Sequence, residues 1–171
     1  MFRSFFLLFL SFFWTQVAAV QNATAPKALS ADEVQGYLEA KGMGMAKAAE
    51  LNGYPGPAHV LELAGQLGLD EAQRNASQVL FESMRTQAGA VGAELIAKER
   101  ELDRLFAAGR IDERELTARL RDIGALQAQI RGIHLNAHLH QKALLSAEQI
   151  QTYNRLRGYD SASAARPSHA H

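Results

Sequence analysis

Two long stretches of the chain place apolar residues at alternating three- and four-residue intervals, the spacing that collects them on one face of an α-helix. In the first, Phe81, Met84, Ala88, Val91, Leu95, Leu102 and Leu105 form the stripe; in the second, Leu116, Leu120, Ile123, Leu126, Ile130 and Ile133. Each stretch opens on a capping signature, Asp70 with Gln73 and Asp112 with Glu115. In such a box an oxygen at the helix start and a side chain three residues on satisfy backbone N–H groups that the helix leaves free. The pattern predicts one helix from Asp70 to Ala108, ended by Gly109, and a second from Asp112 to about Leu144. The short connection between them forces the two helices antiparallel. At 1.5 Å per residue each spans about 50 Å.

Shorter elements flank this pair. Ser30 and Glu33 form a capping box that opens a helix to about Leu51, weakened in its middle by Gly42 and Gly44. Asn52 to Gly56 reads as a turn, and Pro57 suits the first position of a short helix running to Leu67 and stopping at Gly68. Ser146 and Gln149 open a last short helix that ends at Gly158. The expected fold is all-α, a long antiparallel helical hairpin with short flanking helices. These cannot cover the whole apolar stripe, so its remaining face should find a second subunit or an unfolded client, and a homodimer or higher oligomer is expected.

The ends differ from the middle. Arg3 precedes an apolar block from Phe5 to Trp14, and Val17-Ala18-Ala19 offers the small residues that a signal peptidase reads. The block falls short of the roughly 20 apolar residues of a comfortable span, so residues 1–19 read as a secretory signal peptide; an uncleaved anchor over residues 4–20 is the alternative. Residues 20–53 then form an N-terminal helical segment and 54–159 the hairpin domain. Residues 160–171, rich in Ala, Ser and His, read as a disordered tail.

Composition narrows the function. Lys plus Arg and Asp plus Glu both number 18, which supplies no cationic surplus for gripping nucleic acid. Cysteine is absent, excluding disulfides and thiolate chemistry. Charge is dense from Lys98 to Asp122, but the signs interleave, as on a solvated tip. There is no Gly-rich phosphate loop, and the serines lack a convincing base; no enzyme is expected. Asn22 and Asn75 begin glycosylation sequons, meaningless in a bacterial protein.

Any metal must therefore be held by imidazole, carboxylate or thioether. His134 and His138 stand one turn apart on one helical face, a spacing that chelates a divalent ion. Folding the hairpin about residues 110–111 brings His138 opposite position 83, with Glu82 as the available carboxylate and Gln78 nearby. His59 could arrive from the short helix as a third imidazole, whereas His140 faces elsewhere. The competing reading makes the histidines a polar flank of the stripe, hydrogen-bonded or solvated. Met43, Met45 and Met84 fit a soft ligand set for copper or, more simply, packing. His169 and His171 belong to the solvated tail.

Two segments are alike: Leu69-Asp70-Glu71-Ala72-Gln73 and Leu145-Ser146-Ala147-Glu148-Gln149. Each is an apolar residue, a capping oxygen and a Gln three residues on, and Leu145 can also staple against Ile150. They resemble the LTxxQ repeats of the Spy/CpxP-like family of periplasmic stress and metal-responsive proteins, with Asp and Ser replacing Thr. The resemblance covers roughly residues 54–159. It implies a periplasmic, usually dimeric hairpin that holds unfolded proteins without ATP, modulates envelope-stress signalling or binds zinc or other transition metals. Metal-resistance members are similar in carrying His near the start of the hairpin and before the second repeat, where His59, His134 and His138 stand. The expectation is a periplasmic metal-binding stress protein with His59, Glu82, His134 and His138 as ligands and zinc as first choice. The alternatives are an ATP-independent chaperone and a structural or signalling partner of a membrane stress sensor.

Overall fold

The computed structural model describes residues 25–159; the expected signal peptide and C-terminal tail lie outside them. The described residues are helical, with no strand: α1 (Ala31–Leu38), α2 (Lys47–Glu50), α3 (Pro57–Glu62), α4 (Glu71–Ala107), α5 (Glu113–Leu144) and α6 (Ala147–Leu156). The two long helices pack against each other. Their cross-helix pairs, Gln73 with the Leu144 carbonyl, Ser77 with Gln141, Lys98 with Asp122 and Glu101 with Arg119, climb α4 as they descend α5.

Three of the four capping boxes form as the sequence implies, at Ser30, Asp70 and Ser146. The fourth is half made. Asp112 accepts from the Glu115 N–H, but the Glu115 carboxylate turns away to bond Arg119 one turn on. A bond to guanidinium is charge-assisted and stronger than one to a backbone amide. The boxes at Asp70 and Ser146 are joined. Each glutamine's amide N–H donates to the other's oxygen at 2.9 Å, while that oxygen also takes the N–H of its own cap residue. Leu69, Leu145 and Ile150 pack in the apolar cluster beneath. The two similar segments are thus one contact that fastens the start of α6 to the start of α4.

The single helix expected from Ser30 to Leu51 is a correction. The chain leaves helical geometry after Leu38, with positive φ at Ala40 (54°), Met43 (44°) and Gly44 (77°), and resumes only at Lys47. Packing accounts for the break. The end of α1 presses so closely on α4 that a Cβ added at Gly92 would meet the Tyr37 carbonyl oxygen at 2.5 Å. A continuous helix would carry the chain past this notch, and Gly42 and Gly44 make the interruption inexpensive.

Two apolar clusters result. One joins Ala40 to Ala88, Val91, Leu95, Ile123 and Ile130. The other joins Val60, Ala64 and Leu67 of the α3 region to Leu69, Leu145 and Tyr153. Between them along α5 lies a buried polar layer of His134, His138 and Gln141, faced by Ser77 of α4. No helix among the described residues is long and apolar enough to cross a membrane.

Candidate metal-binding cavity

The polar layer borders a cavity of about 690 Å³ enclosed by the α1–α2 connection, α3, α4 and α5. His59, His134 and His138 all line it, together with Phe81, Met84, Met43 and Glu50. Helical spacing puts His134 and His138 on the buried face of α5, where they are 3% and 6% exposed.

The turn before α3 orients His138. Its Nδ1–H donates to the Tyr54 carbonyl at 2.8 Å, which leaves the Nε2 lone pair for another partner. Lys142 sits 3.7 Å from the centre of the Tyr54 ring, holding the same turn from the next helical turn of α5. Gly56 permits the approach, since a Cβ there would stand 2.8 Å from His138 Cε1. Backbone geometry at one turn thus sets both the position and the tautomer of one imidazole.

His134, like Gln141, Asn154 and Arg157, carries a buried side-chain atom with no hydrogen-bond partner among the described residues. In His134 this atom is Nε2. Burial, and then the neighbouring His138, hold its pKa below the ordinary value, so the ring is neutral at physiological pH. An unanswered buried polar atom costs about 1–3 kcal/mol. A buried imidazole nitrogen without a hydrogen-bond partner is a candidate donor to a cation, and this orphaned atom, on a residue that lines the cavity, is the observation by which the residues fit a metal.

His59 is more exposed and differently engaged. Its Nδ1 lies 2.9 Å from Glu62 and its Nε2 lies 3.9 Å from Glu50. Glu50 is in turn held by Tyr153 Oη (2.7 Å), Tyr159 Oη (3.0 Å) and Arg157 (3.4 Å). Burial works against its charge, but the Tyr153 hydrogen bond, then His59, Tyr159 and Arg157, outweigh burial and keep its pKa below the usual range. Burial and the bond to Glu50 push the Tyr153 hydroxyl far up, so it remains a donor.

The structure therefore gathers three of the four expected ligands on one cavity and leaves out the fourth. Glu82 is exposed and accepts from Gln78 along the outside of α4. It lies within a turn of the level of His138, but two residues from Met84 is about 200° around the helix, so it faces away. Glu39 and Glu50 are the carboxylates that line the cavity, Glu39 paired with Lys41 and Glu50 more deeply held. Nothing local in the sequence links Glu50 to Tyr153, 103 residues on. As the side chains stand, no three His, Asp or Glu among the described residues form a ready chelate. His140 is exposed on another face, as expected. Searches against protein-family models, curated proteins and solved structures returned no match to this chain.

Proposed function

We propose that this chain is an exported helical-hairpin protein of the Spy/CpxP-like class that captures a transition-metal ion, with zinc, copper or nickel as the candidates that imidazole accepts. The observation that carries the reading is the buried, unpartnered Nε2 of His134 beside His138, whose other nitrogen is already anchored to a backbone carbonyl. Metal-ligating histidines are commonly oriented by such a second bond. When bound, the ion would supply a cross-link, tying α5 to the elements around the cavity and favouring one packing of the hairpin. His134 and His138 would hold it, with His59 as a third imidazole. Binding of this kind suits a periplasmic sensor or buffer in metal stress, acting as a homodimer through the apolar residues that the hairpin leaves uncovered.

Titration calorimetry with zinc, copper and nickel tests the reading. One ion should bind per chain, and His134→Ala or His138→Ala should weaken it at least about tenfold, or about 1.4 kcal/mol. A double variant that titrates like the wild type would remove the site.

The second reading is ATP-independent holding of unfolded clients. It is favoured by large apolar side chains left in solvent, among them Leu38, Leu51, Val79, Phe106 and Leu120, each more than half exposed. Undiminished suppression of client aggregation in EDTA and in the double histidine variant would favour that function over metal capture.

A further inference from the structure

The donors around the cavity bear on which ion it takes, an inference that rests on the metal reading above. The carboxylates are already engaged. Glu39 is paired with Lys41 and Gln35, Glu50 is shared among Tyr153, Tyr159 and Arg157, Glu62 is paired with His59, and Glu82 faces outward. Both ring nitrogens of His59 face carboxylates, Nδ1 Glu62 and Nε2 Glu50, so this imidazole would have to leave them to join an ion as a third ligand. Met84 is placed differently. It is buried at 7% exposure, lines the cavity, and comes from the helix face opposite α5. The pairs Lys98–Asp122, Glu101–Arg119 and Ser77–Gln141 set a register that brings Met84 level with His134.

The donors within this layer are thus two imidazole nitrogens and one thioether, and the carboxylates nearby are engaged with other side chains. A divalent ion in a neutral shell keeps its full charge, and the Born cost of burying charge grows as its square, about fourfold from a monocation to a dication. Thioether sulfur is a soft donor that selects Cu(I) over zinc. We infer that the cavity takes a soft monovalent cation of the Cu(I) class, held by His134, His138 and Met84, in preference to zinc.

Silver(I), which mimics Cu(I) without redox chemistry, is the probe. Calorimetry in chloride-free buffer compares Ag(I) with Zn(II) on the wild type, Met84→Leu and the double histidine variant, and the Met ε-methyl NMR resonances are followed on wild-type protein. Leucine nearly conserves the volume of methionine, and the methyl spectrum needs no variant, so the test survives a folding defect. The inference expects Ag(I) to bind at least about tenfold more tightly than Zn(II) and to shift the Met84 methyl. Met84→Leu should weaken Ag(I) by a similar factor and leave Zn(II) within about twofold. Tighter zinc than silver, or silver binding that leaves the Met84 methyl unmoved, overturns the soft-ion inference while metal capture stands. Failure of both ions to bind overturns both.

Discussion

The two long helices carry one apolar pattern from end to end, yet their two halves are built differently. In the base half, Met84, Ala88, Val91, Leu95 and Ile96 of α4 and Ile123, Ile130, His134, Ala137 and His138 of α5 are buried, because α1, α3 and α6 add further layers. In the tip half no residue from Ala97 to Asp122 is buried, and Leu120 is 51% exposed. The tip is held instead by Lys98–Asp122, Arg119–Glu101 and Arg119–Glu115, pairs whose side chains are partly exposed. A stripe of apolar residues gives an element type; burial needs a second surface wide enough to cover it. The candidate site sits where the layers are most numerous, which is also where a polar atom can be left without water or partner.

Core truncation should separate the halves most sharply. Leu95→Ala or Ile130→Ala should cost about 2–5 kcal/mol. Leu120→Ala at the tip should cost no more than about 0.5 kcal/mol. Urea unfolding measures both, and equal losses would mean the tip is covered, as by a second subunit.

Next in size is the carboxylate that ties the ends of the chain together. Tyr153→Phe removes a hydrogen bond to charged Glu50 and should cost about 1.5–3 kcal/mol. The pH dependence follows from the lowered Glu50 pKa. Its stabilisation is complete above the ordinary value of 4.5 and is lost as pH falls through the lower folded value. Melting curves taken from about pH 6 to about pH 3 should therefore fall more steeply for the wild type than for Glu50→Gln. Parallel curves would show that Glu50 is not held as described.

The caps come third. Asp70→Ala and Ser146→Ala should each lower stability by about 0.5–2 kcal/mol. Because Gln73 and Gln149 join the two boxes, the double variant should lose less or more than the sum, so a double-mutant cycle that adds cleanly would break the proposed link. The smallest effect belongs to the tip. Arg119→Ala removes two partly exposed ion pairs and should bring only a small fall in melting temperature.

Much of the scaffold was legible from local chemistry. Capping oxygens, the Pro57 start and the glycine stops act within a few residues, and they mark the starts of α3 to α6 and the ends of α4 to α6 closely. The end of α3 is a correction: the helix stops at Glu62, with turns on to Gly68, where the sequence implies a helix to Leu67. The break between α1 and α2 was legible only as two glycines, because its cause is the close contact of Tyr37 with Gly92 on another helix. The site divides in the same way. The His134–His138 pair follows from spacing on one helix, and His59 does line the same cavity. Glu82 was misplaced because level along a hairpin fixes height and not the direction a side chain faces. Glu50, Tyr54 and Tyr153 owe their roles to contacts between distant segments, which no periodicity encodes.

Amide hydrogen exchange with and without saturating Ag(I) tests the central claim, metal capture in the half of the two long helices that carries the polar layer, within one molecule. Without metal, amides of residues 97–122 should exchange faster than those of 84–96 and 123–141. Added metal should slow exchange around His134 and His138 and in the 52–56 turn that holds His138, leaving the tip unchanged. Exchange that is unaffected by metal, or slowed equally at tip and base, would contradict it.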